Sequence, residues 1–341
     1  MMRLRGFMAP LLGAAALLAS LALPAQAQQI TLRMAILGGV AQSGYGEAML
    51  GVPDAISKAT GGKVKVEIFD SLIPPTQLAN ALRDGRIDMI GGVHAYLTGE
   101  EARFGIGHLP GLLTNMEEYK LALDAYTGNL IAEAWRTRYN GHAVAEGLFY
   151  GTPHFSNKPL AKLSDFKGLK IRTHNAEAAQ MLTLVGAHPT QISSAEMTGA
   201  LQRGVIDALS TEWGSAISLN LQDAAKYMSV WNFSVNLGWS VVFNNAAWAR
   251  LPDDVKGQIT TGMKAFQEER FANYAANEAK KRNALIAKGI QFVEVPEEEQ
   301  QKAFTEENIK AIYAGWYERA AKVGVDGPAV VAKIREILKK K

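Results

Sequence analysis

Arg172 ends the stretch "GLKIR", and a guanidinium at such a place has a specific use. Its planar fork fits a carboxylate with two parallel hydrogen bonds, which a lysine ammonium cannot reproduce. In a strand over "LKIRT", Arg172 points to the face opposite Ile171 and lies near the strand's carboxyl end, where open α/β sheets place their ligands. An ion pair on the surface or between lobes is the alternative that the residue alone leaves open. Rings that could cover the remainder of an acid are Trp213, in "STEW", and Tyr96, in "HAYLTG", each readable as pocket wall or as core. Tyr150 and His154, in "FYGTPHF", carry polar tips that could reach a ligand, with ordinary packing as the alternative. His174 shares the face of Arg172.

Enzyme chemistry finds little support. The six histidines, at 94, 108, 142, 154, 174 and 188, form no HxH or HExxH group, and without cysteine a structural zinc site is not expected. There is no GxSxG elbow, "TGGKVKV" lacks parts of a phosphate-binding loop, and "GYGEAMLG" does not satisfy GxGxxG. Glu146, Glu196 and Glu212 could act as paired acids, but nothing in their spacing brings them together. The expectation is a protein without enzymatic activity, cofactor or metal.

The opening 29 residues hold Arg3 and Arg5, then an apolar run, then "AQA". That is the order of a secretory signal, cleaved after about Ala27, so a periplasmic location is expected. Net charge is +3 over 341 residues, which indicates no nucleic-acid footprint. With no cysteine for disulfides, stability must come from burial, and 48% hydrophobic residues suffice for two ordinary domains.

The elements that would position these side chains show in a repeat. "ALRDGRIDMI" at 81–90 and "ALQRGVIDAL" at 200–209 share five of ten residues. A helix-forming start, a glycine and then β-branched residues describe a helix-to-strand joint, with Gly85 and Gly204 in the left-handed conformation past the helix end. Ile87, Met89 and Ile90, and Val205, Ile206 and Leu209, read as short buried strands. Asp88 and Asp207 must then find donors, most simply nearby backbone. "ITLRMAIL", "VKVEIF" and "IDMIGG" read as strands, the last ending at its glycines, with a helix near Met49, Val52 and Ile56. A second series begins at "HAVAEGLFYG", and "WSVVFNN" at 239–245 is a late strand able to return to the first lobe. Residues 251–288 and 297–322 read as helices bracing both lobes, and Trp135, Trp231, Trp239, Trp248 and Trp316 as core. Two similar α/β lobes follow, with mostly parallel sheets, hinge-crossing strands and long C-terminal helices. Lobe I takes 28–150 plus about 239–285, and lobe II takes 151–238 plus about 286–341.

The run "TGGKVKVEIFDS", "LRDGRIDM", "DFKGLKIR", "VGAHPTQISSAEMTGALQRGVID" and "FNNAAWARLPDDVK" resembles the DctP family, the extracytoplasmic solute-binding proteins of tripartite ATP-independent periplasmic (TRAP) transporters. The resemblance covers essentially all of the chain after the signal. It implies a two-lobed, type II-like periplasmic binding protein fold, a receptor that closes over an organic acid, grips its carboxylate with Arg172, and delivers it to a small and a large membrane subunit. Many members carry another arginine ahead of "NKP", where this chain has Thr152, Pro153 and His154, and others a Glu-Asn-Pro run where it has Ser210 to Trp213. With fewer cations and more rings, the pocket should prefer a monocarboxylate with an apolar or aromatic part, such as a 2-oxo or 2-hydroxy acid. An ABC-type binding protein and a receptor read by a sensor remain as alternatives. A monomer is expected, with a dimer open.

Overall fold

The computed structural model describes residues 29–150, 152–233 and 236–339, the side chains of Tyr150, Asn236 and Leu237 excepted. The expected signal, 1–27, lies outside them. Alternation of apolar and polar residues makes β1 (Ile30–Ile36) and β2 (Val64–Asp70), while the more continuously apolar β3 (Met89–Val93) is buried on both faces. The helix Gly44–Ala59 between β1 and β2 is capped by Ser43, whose hydroxyl accepts the Gly46 N–H, and buries Met49, Val52 and Ile56. β4 (Gly141–Tyr150) completes the first sheet together with a late strand, β10 (Asn236–Asn244). Among the described residues its order is β2-β1-β3-β10-β4, with β10 antiparallel to both neighbours. Thus "WSVVFNN" does return to the first lobe, and "HAVAEGLFYG", read above as opening the second series, is instead the edge of the first sheet.

The second sheet contains β5 (His154–Ser156), β6 (Lys170–Thr173), β7 (His188–Gln191), β8 (Ala208–Ser210), β9 (Tyr227–Ser229) and β11 (Gln291–Val293), in the order β11-β9-β5-β8-β6-β7. Five adjacent strand pairs are parallel and four antiparallel, so both sheets are mixed. In chain order the first sheet's β4 is followed by the second sheet's β5, the second sheet's β9 by the first sheet's β10, and the helix Asp253–Ala287 lies between β10 and β11. This helix, about 50 Å long at 1.5 Å per residue, packs on the helix Gly44–Ala59 and β4 of the first sheet and on the helix Trp213–Ser218 of the second. Its buried residues include Val255, Ile259, Met263, Phe266, Phe271, Tyr274, Glu278, Lys281 and Leu285, at intervals of three to five that keep one stripe inward.

The repeated decapeptide forms the same joint twice. Gly85 has φ 70° and Gly204 φ 68°. The Asp88 carboxylate accepts the Arg33 backbone N–H at 3.0 Å, and Asp207 accepts that of Lys170 at 2.9 Å, each reaching the neighbouring parallel strand. The local backbone tie is therefore what both aspartates do. Two details differ from the sequence reading. The strands begin only after the aspartates, and Val205 is 55% exposed, because the tight turn after the glycine carries that side chain off the sheet. The glycines of "IDMIGG" do not end β3 but lie inside it. A Cβ on Gly91 would come within 2.5 Å of the Tyr45 hydroxyl, and one on Gly92 within 2.5 Å of the Trp135 ring, so the strand stays glycine-rich to admit rings on both faces.

Candidate ligand-binding cleft

The carboxyl ends of strands from both sheets meet at one place. Leu37 follows β1, Val93 ends β3 with Tyr96 just beyond, and Phe149 stands near the end of β4. From the second sheet come Arg172 and His174 around the end of β6, Thr211 and Glu212 after β8, and Ser194 at the start of the helix Ser194–Gln202. The cavity they line is about 40 Å³, room for a water or two. The lobes are closed here, and an organic acid enters only if they part or Tyr96 moves.

Arg172 is 3% exposed. Its Nε donates to the Ile192 carbonyl at 2.8 Å and its Nη1 to the Ser210 carbonyl at 2.7 Å. Those two bonds fix the plane of the guanidinium and leave the other terminal nitrogen for a partner across the cleft. Burial pulls its pKa down from the ordinary arginine value, opposed by the Tyr96 hydroxyl, which is hydrogen-bonded to it. A guanidinium nonetheless keeps its charge in a protein. A buried cation held by neutral oxygens is a strong attractor for an anion.

His174 is 4% exposed; its Nδ1 lies 3.4 Å from the Ser210 hydroxyl, and its Nε2 has no hydrogen-bond partner among the described residues. Burial, with the charge of Arg172, holds its pKa well below the usual imidazole range, so the ring is neutral and offers the cleft one donor or one acceptor. Glu212 brings a carboxyl to the same wall, but aims it at the helix Trp213–Ser218. It accepts the Ser215 N–H at 3.1 Å, the Gly214 N–H at 3.4 Å and the Ser215 hydroxyl at 3.1 Å. Burial pushes its pKa up, with Lys281 acting in the opposite direction.

The residues singled out from sequence thus separate. Arg172 and Tyr96 come together in the cleft. Trp213 is 7% exposed within the second lobe's apolar cluster, edge-on to Phe155 at 6.5 Å, beneath the cleft wall and not among the residues lining the cavity. His154 packs edge-on against Phe166 at 5.5 Å and Phe233 at 5.4 Å, burial holding its pKa down to about 3, and it too stands apart from the cavity. The side chain of Tyr150 lies outside the described residues. Leu37, Val93, Phe149 and Thr211 had no signal in the sequence, since they are ordinary residues brought in by strand ends; His174 could be found because it lies two residues from Arg172 on the same face.

Larger cavities lie elsewhere: one of about 630 Å³ among Lys162, Lys167, Gly186 and Glu299, one of about 400 Å³ among Gln191, Glu196 and Arg203, one of about 300 Å³ among His108, Pro110, Phe233 and Phe304, and one of about 220 Å³ under the helix Asp253–Ala287. None of the four gathers strand ends from both sheets around a buried cation. Among the described residues no group of three or more His, Cys, Asp or Glu could hold a metal ion, and no helix is long and apolar enough to cross a membrane.

Tyr96 receives the guanidinium on its oxygen, which leaves its own proton to donate to a ligand carboxylate bound beside it. Tyr96→Phe should therefore weaken acid binding by about 1.5–3 kcal/mol, one hydrogen bond to a charged group. Titration calorimetry of the two proteins would measure it, and an unchanged or tighter Kd would remove Tyr96 from the site.

The family described as "Bacterial extracellular solute-binding protein, family 7" (DctP) matches residues 41–319. The C4-dicarboxylate-binding periplasmic protein DctP of Rhodobacter capsulatus is 25% identical over 344 residues, covering 96% of this chain and 97% of that one. Among solved structures, a Bordetella pertussis extracytoplasmic solute receptor binding pyroglutamic acid, DctP7, superposes with a TM-score of 0.80 at 20% identity, covering 89% of this chain and 99% of that one. A TRAP solute-binding protein of Rhodoferax ferrireducens T118, in complex with copurified benzoate, gives 0.80 at 21% identity, with 91% and 98% covered.

Proposed function

The chain belongs to the DctP family of extracytoplasmic solute-binding proteins of TRAP transporters, a transport family and not an enzymatic one, and from that premise we propose that it captures a small monocarboxylate with an apolar or aromatic part. The observation that carries the reading is the charge balance of the cleft. Arg172 is the one cation among the described residues lining it, Glu212 is an acid on the same wall, and Leu37, Val93 and Phe149 are apolar. One carboxylate finds a partner there; a second would face Glu212 without a cation of its own, a penalty that buried unpaired charge makes large. The neutral Nε2 of His174 suits an oxo or hydroxyl group next to the carboxylate, which favours a 2-oxo or 2-hydroxy acid. Pyroglutamic acid and benzoate, the ligands of the two related structures, are likewise monocarboxylates with rings.

The mechanism is conformational. An open form exposes the strand ends, the acid docks on Arg172, and closure removes both from water, the ligand shifting the population by its greater affinity for the closed form. The closed receptor, released into the periplasm by cleavage after about Ala27, presents its surface to the small and large membrane subunits.

The test is thermal unfolding of residues 28–341, refolded free of captured ligand, against 2-oxo, 2-hydroxy, aromatic and dicarboxylic acids. An acid at ~100 times its Kd stabilises the native state by about 2.7 kcal/mol, a shift of a few degrees for a protein of this size. Stabilisation by monocarboxylates with apolar parts is expected. Stabilisation by C4-dicarboxylates alone would overturn the charge argument, and stabilisation only by sugars or amines would overturn the acid.

A further inference from the structure

The cavity of about 220 Å³ under the helix Asp253–Ala287 shares no lining residue with the cleft. At ~30 Å³ per water it has room for about seven waters, or for a small organic molecule. Leu148 of β4, Trp239 of β10 and Phe271 of the long helix give it an apolar lining, and the exposed Asn273 and Asn277 border it on the solvent side. Two buried polar side chains of its wall each have an atom without a hydrogen-bond partner among the described residues. Trp239, 2% exposed, has none on Nε1, and Glu278, 6% exposed, has none on Oε2. Arg270 Nε is a third such atom on the same wall. The Trp239 indole lies against Gly147 of β4, where a Cβ would collide with the ring, so this glycine admits the indole to the cavity wall.

The charges around the cavity do not balance. Glu47, Glu269 and Glu278 bring three carboxyls, Arg270 and Lys281 bring two cations, and both cations are already engaged. Lys281 donates to Glu47 at 3.2 Å and to Glu278 Oε1 at 3.2 Å, and the Arg270 guanidinium sits 3.9 Å from Glu269 and 5.0 Å over the Phe266 ring. Glu212 adds a further negative charge that acts on Glu278 and Lys281. A cation at Glu278 Oε2 and an oxygen at the Trp239 N–H would complete the set. A buried donor and a buried acceptor without partners each cost free energy that a ligand carrying both complements recovers.

We propose that this cavity is a second ligand site, for a small primary amine that also carries a hydroxyl, its ammonium on Glu278 and its oxygen on the Trp239 N–H. An alkylammonium has donors and no acceptor, so it pairs with Glu278 and leaves the indole unsatisfied. A diol can meet both atoms but leaves the surplus of acid. An amino acid brings oxygen, but its carboxylate cancels the charge the cavity calls for. Arg270 Nε is a second donor for the hydroxyl oxygen, and the Trp239 and Phe271 rings offer their faces to an ammonium. The amine's site and the acid's site have no residue in common, so either can fail without the other.

The test follows the indole N–H cross-peak of Trp239 in a proton–nitrogen NMR spectrum, assigned by its loss in Trp239→Phe, during titration with amino alcohols of two to five carbons. Burial, with the charge of Glu212, pushes the Glu278 carboxyl up to about 8 against the pull of Lys281. At about pH 8.5 it is mostly ionised, while an alkylammonium keeps its proton. A saturable shift of the cross-peak is expected. The alkylamine of the same length should bind about threefold to tenfold more weakly, and the diol about tenfold to a hundredfold more weakly. In Glu278→Gln the amino alcohol should lose about tenfold to a hundredfold in affinity. The diol, which makes no ion pair, should bind that variant as it binds the wild type, which separates loss of the charge from loss of the cavity. Arg172→Ala should leave the amine's affinity as it is. No saturable shift, a diol or an amino acid that binds as tightly as the amino alcohol, or an unchanged affinity in Glu278→Gln would overturn the proposal.

Discussion

Arg172→Ala is expected to weaken binding of the captured acid by about 2–5 kcal/mol, the cost of leaving one member of a buried charge pair without its partner. At 1.4 kcal/mol per factor of ten, that is a loss of roughly thirtyfold to several thousandfold. The effect is large because Arg172 is 3% exposed, so no water replaces the guanidinium once the lobes close. Arg172→Lys should recover only part of it. An ammonium restores the charge, but not the fork whose Nε and Nη1 are tied to Ile192 and Ser210 while a terminal nitrogen faces the cleft. Calorimetric titration with the acid found by thermal unfolding measures all three proteins. Wild-type affinity in the alanine variant would end the assignment of Arg172, whatever the panel had shown.

Ser240→Ala should be the most destabilising small substitution in the first lobe, by about 3 kcal/mol. The Ser240 hydroxyl, on β10, is 0% exposed and is the hub of a buried polar network. It accepts the Trp135 indole N–H at 2.7 Å, donates to Glu146 Oε2 at 2.7 Å, and lies 2.6 Å from His94 Nε2. His94 Nε2 and Glu146 Oε2 are 3.4 Å apart, yet they are not an ion pair. Burial pushes the Glu146 carboxyl well up, and burial, with His108, pulls the His94 imidazole down to about 3, so both are neutral. Removing one oxygen strands three partners at once, and each buried polar group left unsatisfied costs about 1–3 kcal/mol, less where partners can turn to one another. Urea unfolding of the two proteins would read the difference. A loss under about 1 kcal/mol would mean that the network relaxes around the gap or takes in water.

Much of this molecule is legible in its sequence, and the reason is local. Gly85 and Gly204 take positive φ because glycine alone does so at little cost, and the residues on either side carry the helix and strand periods, so the joint could be read twice from ten letters. The Asp88 and Asp207 ties follow from the same locality, since a carboxylate at the start of a buried strand must take the nearest donor. Arg172 was legible as chemistry, because one residue type has the carboxylate-matching fork and its place on a strand is a matter of alternation. The return of "WSVVFNN" to the first sheet could be suspected from its late position alone.

What the sequence by itself determined, then, is everything that depends on residues within about one element of each other: the α/β series, the joints, the face of Arg172 and the family resemblance. The tertiary structure decided which elements meet. "HAVAEGLFYG" has the same alternation whether it edges one sheet or opens the other, and only β10 lying against it made it part of the first. Gly91 and Gly92 read as an end because their reason for being glycine, the rings of Tyr45 and Trp135, lies more than 40 residues away in each case. Trp213 and His154 have side chains suited to a ligand and are drawn instead into packing with Phe155, Phe166 and Phe233, while Leu37, Val93 and Phe149 line the cleft without any distinguishing chemistry. A cleft between lobes is built from strand ends far apart in the chain, and burial there is set by closure of one lobe on the other, a long-range quantity that no window of sequence contains.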